Sequence, residues 1–252
     1  VVEVRAQRAS RPRRLRVIGF GMGPQHVTPE AAAAIASVDY LVAFAKGERD
    51  DPLLAVRAEV ARQYGDPPVV VVPDPPRDRA DPADYAAAVR DWHDARVAAL
   101  RAVLEERPGD VGILVWGDPS LYDSTLRLVD GLDGALGLEV DVVPGISAPQ
   151  LLAARHRIVL HEVGAPVHVT TGRRLREAVE AGQDNLVVML NSGLDLDGLE
   201  DWSIWWGANL GAAGEALVAG RVGDVLVDVL AARDAAKAEA GWVMDLFLLR
   251  AP

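Results

Sequence analysis

Val115-Trp116-Gly117-Asp118-Pro119-Ser120-Leu121-Tyr122-Asp123-Ser124-Thr125-Leu126-Arg127-Leu128 is the stretch on which the reading of this chain turns. The apolar run from Val111 to Trp116 reads as a buried strand, Gly-Asp-Pro as a stiff loop, and Ser124 as the N-cap of a following helix. In an open α/β sheet, ligands collect at the carboxyl ends of the strands, and glycine there lets the backbone approach closely. A lone Gly-Asp-Pro is equally an ordinary turn, so the neighbouring loops have to decide.

Two further loops repeat the arrangement. Leu15 to Gly19 reads as a strand that runs into the glycine-rich Gly19 to Val27, after which Thr28 caps a helix with Pro29 first and Glu30 in the opening turn. Dinucleotide binding does not fit, because the third glycine of that fingerprint falls on Pro24 and the next strand, Tyr40 to Phe44, ends at Ala45 and Lys46 without an acid. Leu138 to Val143 leads into Pro144 to Ala148, with Ser147 as cap. Between these lie a helix over Pro52 to Gln63, an apolar run Val69 to Val72 and the turn Pro73 to Pro76. A long helix capped by Asp81 follows, with Tyr85, Val89, Trp92, Val97, Leu100 and Leu104 along one face.

Beyond Ala154 the rhythm changes. Ile158 to Val163 and Pro166 to Thr171 read as short strands suited to antiparallel pairing. A helix near Leu175 to Ala181, strands at Leu186 to Leu190, Ile204 to Gly207 and Ala216 to Ala219, a helix over Asp224 to Ala238 and a last strand at Trp242 to Leu249 follow. The expected fold is α/β with two domains. Residues 15–144 form a mostly parallel sheet with helices on both faces, residues 145–252 a mixed or antiparallel sheet, and the cofactor cleft lies between them. Residues 1–14 read as a mobile Arg-rich arm.

The totals narrow the function. A net charge of -11 argues against general nucleic-acid binding, which depends on Lys and Arg neutralising phosphates. With no Cys there is no disulfide, thiolate nucleophile or Cys-held metal, and a reducing cytoplasm fits. No apolar run is long enough to span a membrane, and the beginning lacks the apolar core of a signal peptide. The five His residues show no metal-ligand spacing, so no metal is expected. Arg127, Arg155, Arg157, Arg173, Arg174 and Arg176 are either solvated charge or forks for substrate carboxylates. Trp202, Trp205 and Trp206 are either core or a wall for a flat ring.

G-F-G-M-G, W-G-D-P-S-L-Y, V-P-G-I-S-A, N-L-V-V-M-L and E-A-L-V-A-G-R-V, in this order over residues 15 to 250, resemble the tetrapyrrole (precorrin) methyltransferases. F-A-K-G-E, A-A-R-H-R-I, T-T-G-R-R-L, W-W-G-A-N-L-G and G-W-V-M-D-L-F-L-L-R point to the deacetylating branch of that family. The resemblance implies S-adenosyl-L-methionine as cofactor, a precorrin as substrate, a homodimer, and methylation at carbon 1 of the macrocycle with release of acetate. It carries cofactor binding onto Met22, Trp116, Gly117, Asp118, Leu121, Ser147 and Ala148, and more loosely onto Met189 or Leu190 and Leu210, Gly211 or Ala212. In one place the chain departs from the pattern. Relatives commonly have G-x-G-P-G-D before the Thr, whereas here Met22 stands at the Pro position and the Asp is missing, so no role for that Asp transfers.

Methyl transfer from a sulfonium depends on alignment and exclusion of water, whereas deacetylation needs an activated water and a stabilised oxyanion. Candidate bases are Asp123, His156 and Asp245. Candidate carboxylate or charge partners are Lys46, Arg127, Arg155, Arg173 and Arg174. Two alternatives stay open: a family member acting at another ring carbon, and a non-catalytic tetrapyrrole or nucleoside binder.

Overall fold

The computed structural model describes residues 12–45, 52–76, 85–132 and 134–252. Most of the Arg-rich arm, Lys46, the Asp81 cap and the Tyr85 side chain lie outside the described residues. The chain divides into two compact units, Val1–Ile146 and Ser147–Pro252. Among the described residues, no helix is long and apolar enough to cross a membrane.

The first unit alternates strand and helix: β1 (Arg13–Gly19), α1 (Pro29–Ser37), β2 (Tyr40–Ala45), α2 (Pro52–Gln63), β3 (Val69–Pro73), α3 (Tyr85–Glu106), β4 (Val111–Val115), α4 (Thr125–Asp130) and β5 (Leu138–Val143). The strands form one parallel sheet in the order β3-β2-β4-β1-β5. Its central strands are apolar on both sides, as a sheet covered on two faces requires. Leu15, Val17, Val111, Ile113 and Val115 cluster with Leu100, Leu104 and Val129 of α3 and α4. Ile18, Leu41 and Leu114 cluster with Ala31, Ala34, Ile35, Val60 and Ala61 of α1 and α2. Each fully buried Leu, Ile or Val contributes about 1.5–3 kcal/mol. From β1 the chain moves one way to β2, and from β4 the other way to β5. The carboxyl ends of β1 and β4 therefore flank a topological switch point, where open α/β sheets form a crevice.

Helix α1 starts as its residues dictate: Thr28 Oγ1 accepts the Ala31 N–H at 3.1 Å, with Pro29 next in line. The N-terminus of α4 differs from expectation. Ser124 occupies the N-cap position with helical dihedrals and makes no capping bond; instead Asp123 Oδ1 accepts the Thr125 N–H at 2.6 Å. The Ser124 hydroxyl is taken by Arg96, whose Nη1 donates to it at 3.2 Å.

The second unit comprises α5 (Ala148–His156), β6 (His168–Thr171), α6 (Leu175–Glu180), β7 (Asn185–Met189), β8 (Ser203–Ala208), β9 (Ala216–Arg221), α7 (Val222–Ala240) and β10 (Asp245–Arg250). Its sheet runs β6-β7-β10-β8-β9, with β6 and β7 parallel and the other pairs antiparallel. Ile158 to Val163 is not a strand, so the expected antiparallel pair with residues 166–171 does not form. Side chains hold the carbonyls of that segment: Asn185 Nδ2 donates to Leu160 O at 2.9 Å and Arg250 Nη2 to Val159 O at 3.2 Å. β6 pairs in parallel with β7 after the α6 crossover instead. Leu186, Val188, Ile204, Trp206, Phe247 and Leu249 form the core of this unit with Val222, Val229 and Ala236 of α7. Helix α5 opens on a capping box, in which Gln150 Oε1 accepts the Ser147 N–H at 2.8 Å.

Candidate functional site

The three loops singled out by their glycines meet within the first unit. Phe20 N–H donates to Val115 O at 3.1 Å, Gly117 N–H to Gly21 O at 2.9 Å and Gly21 N–H to Gly117 O at 3.3 Å, so the β1 and β4 loops are bridged beyond the sheet. The third loop joins through Asp118, whose Oδ2 accepts the Gly145 N–H at 2.9 Å. The contact is so close that glycine is required. A Cβ on Gly145 would lie 2.2 Å from Gly117 O, and one on Gly19 2.7 Å from the Gly145 nitrogen. The obstacle at Gly145 is main chain, and at Gly19 main chain and the Pro119 ring, neither of which can swing aside as a flexible side chain can.

Asp118 therefore acts here as a clamp. Its Oδ1 accepts from the Ser120 amide at 2.9 Å and the Ser120 hydroxyl at 2.5 Å. Burial works against the charge of this carboxylate. The hydrogen bonds from Ser120 and Gly145 outweigh it and hold the pKa below the ordinary aspartate value. Trp116 stands edge-on to Phe20 with ring centroids 5.5 Å apart, and its indole Nε1–H is buried without an acceptor among the described residues. An orphaned buried donor costs about 1–3 kcal/mol unless something accepts from it. Met22 is buried beside this bridge, and Leu121 follows the Asp118 carbonyl to which its N–H donates at 3.2 Å.

A second cluster occupies the carboxyl ends of β2, β3 and β4. Arg96, on α3, lies 4.2 Å above the Phe44 ring and 4.7 Å from that of Trp92. Its Nε is 2.9 Å from Asp74 Oδ1, an ion pair without a directed hydrogen bond, and its Nη1 reaches Ser124. Burial draws its pKa below the ordinary arginine value, against the opposing pull of Asp74 and Asp123. Nearby His93 has its pKa lowered by burial first, then by Arg127 and Arg96. None of Arg96, Asp74, Phe44 or His93 was among the candidates from sequence. The available signal was Arg96 itself: it sits at the i+4 position between Trp92 and Leu100, a charge within the apolar stripe.

In the second unit, β6, β7 and β8 run in one direction, and most of the remaining candidates gather at the edge where they end. Met189 closes β7. Leu190 is 60% exposed and held at φ 55°, an unusual conformation for a leucine. Leu210 is buried, the Gly211 N–H donates to Glu215 Oε2 at 2.6 Å and the Ala212 N–H to Asn209 O at 2.9 Å. Ser147 and Ala148 start α5, at the other end of that helix from His156.

The candidate acid–base groups differ in how far they are committed. Asp245 is buried, ion-paired to Arg233 at 3.0 Å, and accepts the Trp206 indole N–H at 3.1 Å. His156 donates from Nε2 to Trp206 O at 2.9 Å. Asp123 uses one oxygen on Thr125 N–H, and its other oxygen makes no hydrogen bond among the described residues. Of the arginines, Arg155 pairs with Glu215 at 2.7 Å and Arg174 with Glu177 at 2.6 Å. Arg127 and Arg173 are exposed without such a pairing among the described residues. No group of three or more His, Cys, Asp or Glu among the described residues is placed to hold a metal ion.

Comparison with known proteins gives a consistent result. Residues 14–226 match the family described as tetrapyrrole (corrin/porphyrin) methylases. The chain is 39% identical over 249 residues to a precorrin-6A synthase [deacetylating] of Sinorhizobium sp, covering 94% of this chain and 95% of that protein. Among solved structures it is similar to a cobalamin synthesis related protein (CobF) from Corynebacterium diphtheriae, with TM-score 0.82, 34% identity and coverage of 95% and 99% of the two chains. A uroporphyrin-III C-methyltransferase from Thermus thermophilus, complexed with S-adenyl homocysteine, shares the fold at TM-score 0.55 and 18% identity, over 94% and 97% of the chains.

Proposed function

Because this chain belongs to the tetrapyrrole (corrin/porphyrin) methylases, we propose that it is the S-adenosyl-L-methionine-dependent C-methyltransferase that converts precorrin-5 to precorrin-6A in cobalamin biosynthesis, methylating carbon 1 and releasing acetate. The observation that carries the reading is the meeting of the Gly19, Gly117 and Gly145 loops at the switch point of the parallel sheet, beside the Trp116 N–H, which has no acceptor among the described residues. Backbone amides and carbonyls together with an indole donor can pair with the hydrogen-bonding groups of a nucleoside.

In this reading, Met22, Trp116, Gly117, Asp118 and Leu121, with Ser147, Ala148, Met189, Leu190, Leu210, Gly211 and Ala212 from the second unit, hold the cofactor. The side chain of Asp118 acts through the loops it fastens, since both its oxygens already accept hydrogen bonds. When bound, S-adenosyl-L-methionine supplies an electrophilic methyl group on a sulfonium. The chain contributes rigid alignment of the reacting atoms and exclusion of water. Exposed Arg127 and Arg173 are the forks for substrate carboxylates. Arg155 and Arg174 would first have to give up their glutamate partners.

Deacetylation consumes one water: its oxygen joins the acyl carbon as the base takes a proton, the bond from that carbon to the macrocycle breaks with its electron pair left on the macrocycle, and acetate leaves as the second proton is released. Asp123 is the candidate base with an uncommitted oxygen, whereas Asp245 and His156 hold structural partners. A homodimer acting in the cytoplasm belongs to the same proposal, on the family resemblance.

Incubation of the purified protein with S-adenosyl-L-methionine and precorrin-5, followed by mass spectrometry, tests the function. The expected product has lost its acetyl group as acetate and gained one methyl. Methylation at another carbon, or an unchanged mass, would overturn it.

A further inference from the structure

The cofactor loops of the first unit are held by their own main chain and by Asp118. The extension that follows them, Asp123 and Ser124 leading into α4, is held by something else. Arg96 reaches it from α3, and the same guanidinium rests on Phe44 at the end of β2 and pairs with Asp74 just past β3. One partly buried cation thus joins the carboxyl ends of three adjacent strands. Asp74 is itself fixed, since its N–H donates to Ala45 O at 2.8 Å, and Trp92 is fixed by donating from Nε1 to Pro75 O at 3.1 Å. The part left to be set by the cluster is the turn carrying Asp123 and Ser124.

We propose that Arg96 is a positioning residue for the reaction on the tetrapyrrole: held by Asp74, Phe44 and Trp92, it sets the Asp123–Ser124 turn and so the start of α4, without taking part in cofactor binding. The inference rests on the function proposed above and deepens it. It follows from the chemistry of the group. A planar guanidinium can stack on aromatic rings and donate in two directions at once, whereas an ammonium provides charge alone. Ser124, whose hydroxyl would otherwise cap α4, is turned to Arg96, and Asp123 has taken over the Thr125 N–H. Displacing Arg96 therefore releases Ser124, and with it the turn that Asp123 shares. Misplacement of about 1 Å at a reacting centre is enough to cost about a hundredfold in rate.

Two variants of the full chain test this. Arg96→Lys keeps the charge for Asp74 and loses the fork; Ser124→Ala removes only the hydroxyl. Each is assayed for melting temperature, for S-adenosyl-L-homocysteine affinity by calorimetry, and for kcat and KM with precorrin-5. For Arg96→Lys we expect kcat/KM to fall about tenfold or more with cofactor-product affinity within about twofold of wild type, and for Ser124→Ala a fall of about fivefold in the same direction. Unchanged kcat/KM in a folded Arg96→Lys protein overturns the proposal. So does a parallel loss of melting temperature, cofactor-product affinity and turnover, which would make Arg96 scaffold alone. Should Arg96→Lys not fold, Ser124→Ala decides, and wild-type turnover there refutes the role. An inactive wild type, assayed first, refutes the proposed function and the positioning role with it.

Discussion

Each unit carries a buried arginine–aspartate pair at the strand-end edge of its sheet, and the two pairs are built differently. Arg233 and Asp245 expose 17% and 1% of their side chains, and Asp245 also accepts from Trp206, so the carboxylate of that pair is sealed within a single core. Arg96 and Asp74 expose 13% and 15%, lie between two aromatic rings, and connect segments that follow three different strands. A sealed pair fixes a core, since removing one partner strands the other charge away from water. A pair among loops fixes the relation of those loops, and its loss is felt in their placement before it is felt in unfolding.

The largest test of that contrast is Arg233→Met, which leaves the buried Asp245 carboxylate with the Trp206 indole N–H but without its cation. A loss of about 3–5 kcal/mol in denaturant unfolding is expected. Asp74→Asn is expected to cost about 1–3 kcal/mol, because Arg96 keeps its rings, Ser124 and some contact with water. If the two losses are equal, the distinction between sealed and linking pairs fails.

Asp118→Asn sharpens the loop side of the comparison. The wild-type carboxylate has a lowered folded pKa, so its contribution is fully present above the unfolded value near 3.8 and is lost as pH falls through the lower folded value. The variant should be about 1–2 kcal/mol less stable at neutral pH, with the difference shrinking below about pH 4. Unfolding curves from neutral pH down to about pH 3 check it. A difference independent of pH would mean that its charge is not what fastens Gly145. Smallest is Arg174→Ala. Its glutamate pair is about two-thirds exposed on both sides, and a change below about 0.5 kcal/mol in thermal unfolding is expected.

How far such features could be read in advance depended on whether they are local. The strand-to-helix loops were legible because glycine, proline and capping residues act on their immediate neighbours: Thr28 caps α1, and Ser147 with Gln150 opens α5. Ile158 to Val163 misled because its β-branched and apolar residues suit a strand, while carbonyls in it are taken by Asn185 and Arg250 from far along the chain. Ser124 misled for the same reason: a cap in local terms, it is claimed by Arg96 from 28 residues away. Most of the site candidates came from loop motifs. The Arg96 cluster was missed because it is assembled by tertiary contact, although an arginine at helical spacing within the Trp92 to Leu104 stripe was visible.

Gly19 and Gly145 carry a further consequence, for how the chain can be re-engineered. What blocks a side chain at Gly19 or Gly145 is chiefly main chain, and no mutation elsewhere can remove a carbonyl or a peptide nitrogen. These positions admit no compensating second-site change, so a selection for new ring specificity would leave them alone. Its variants should accumulate elsewhere, at positions where a side chain can change without meeting main chain.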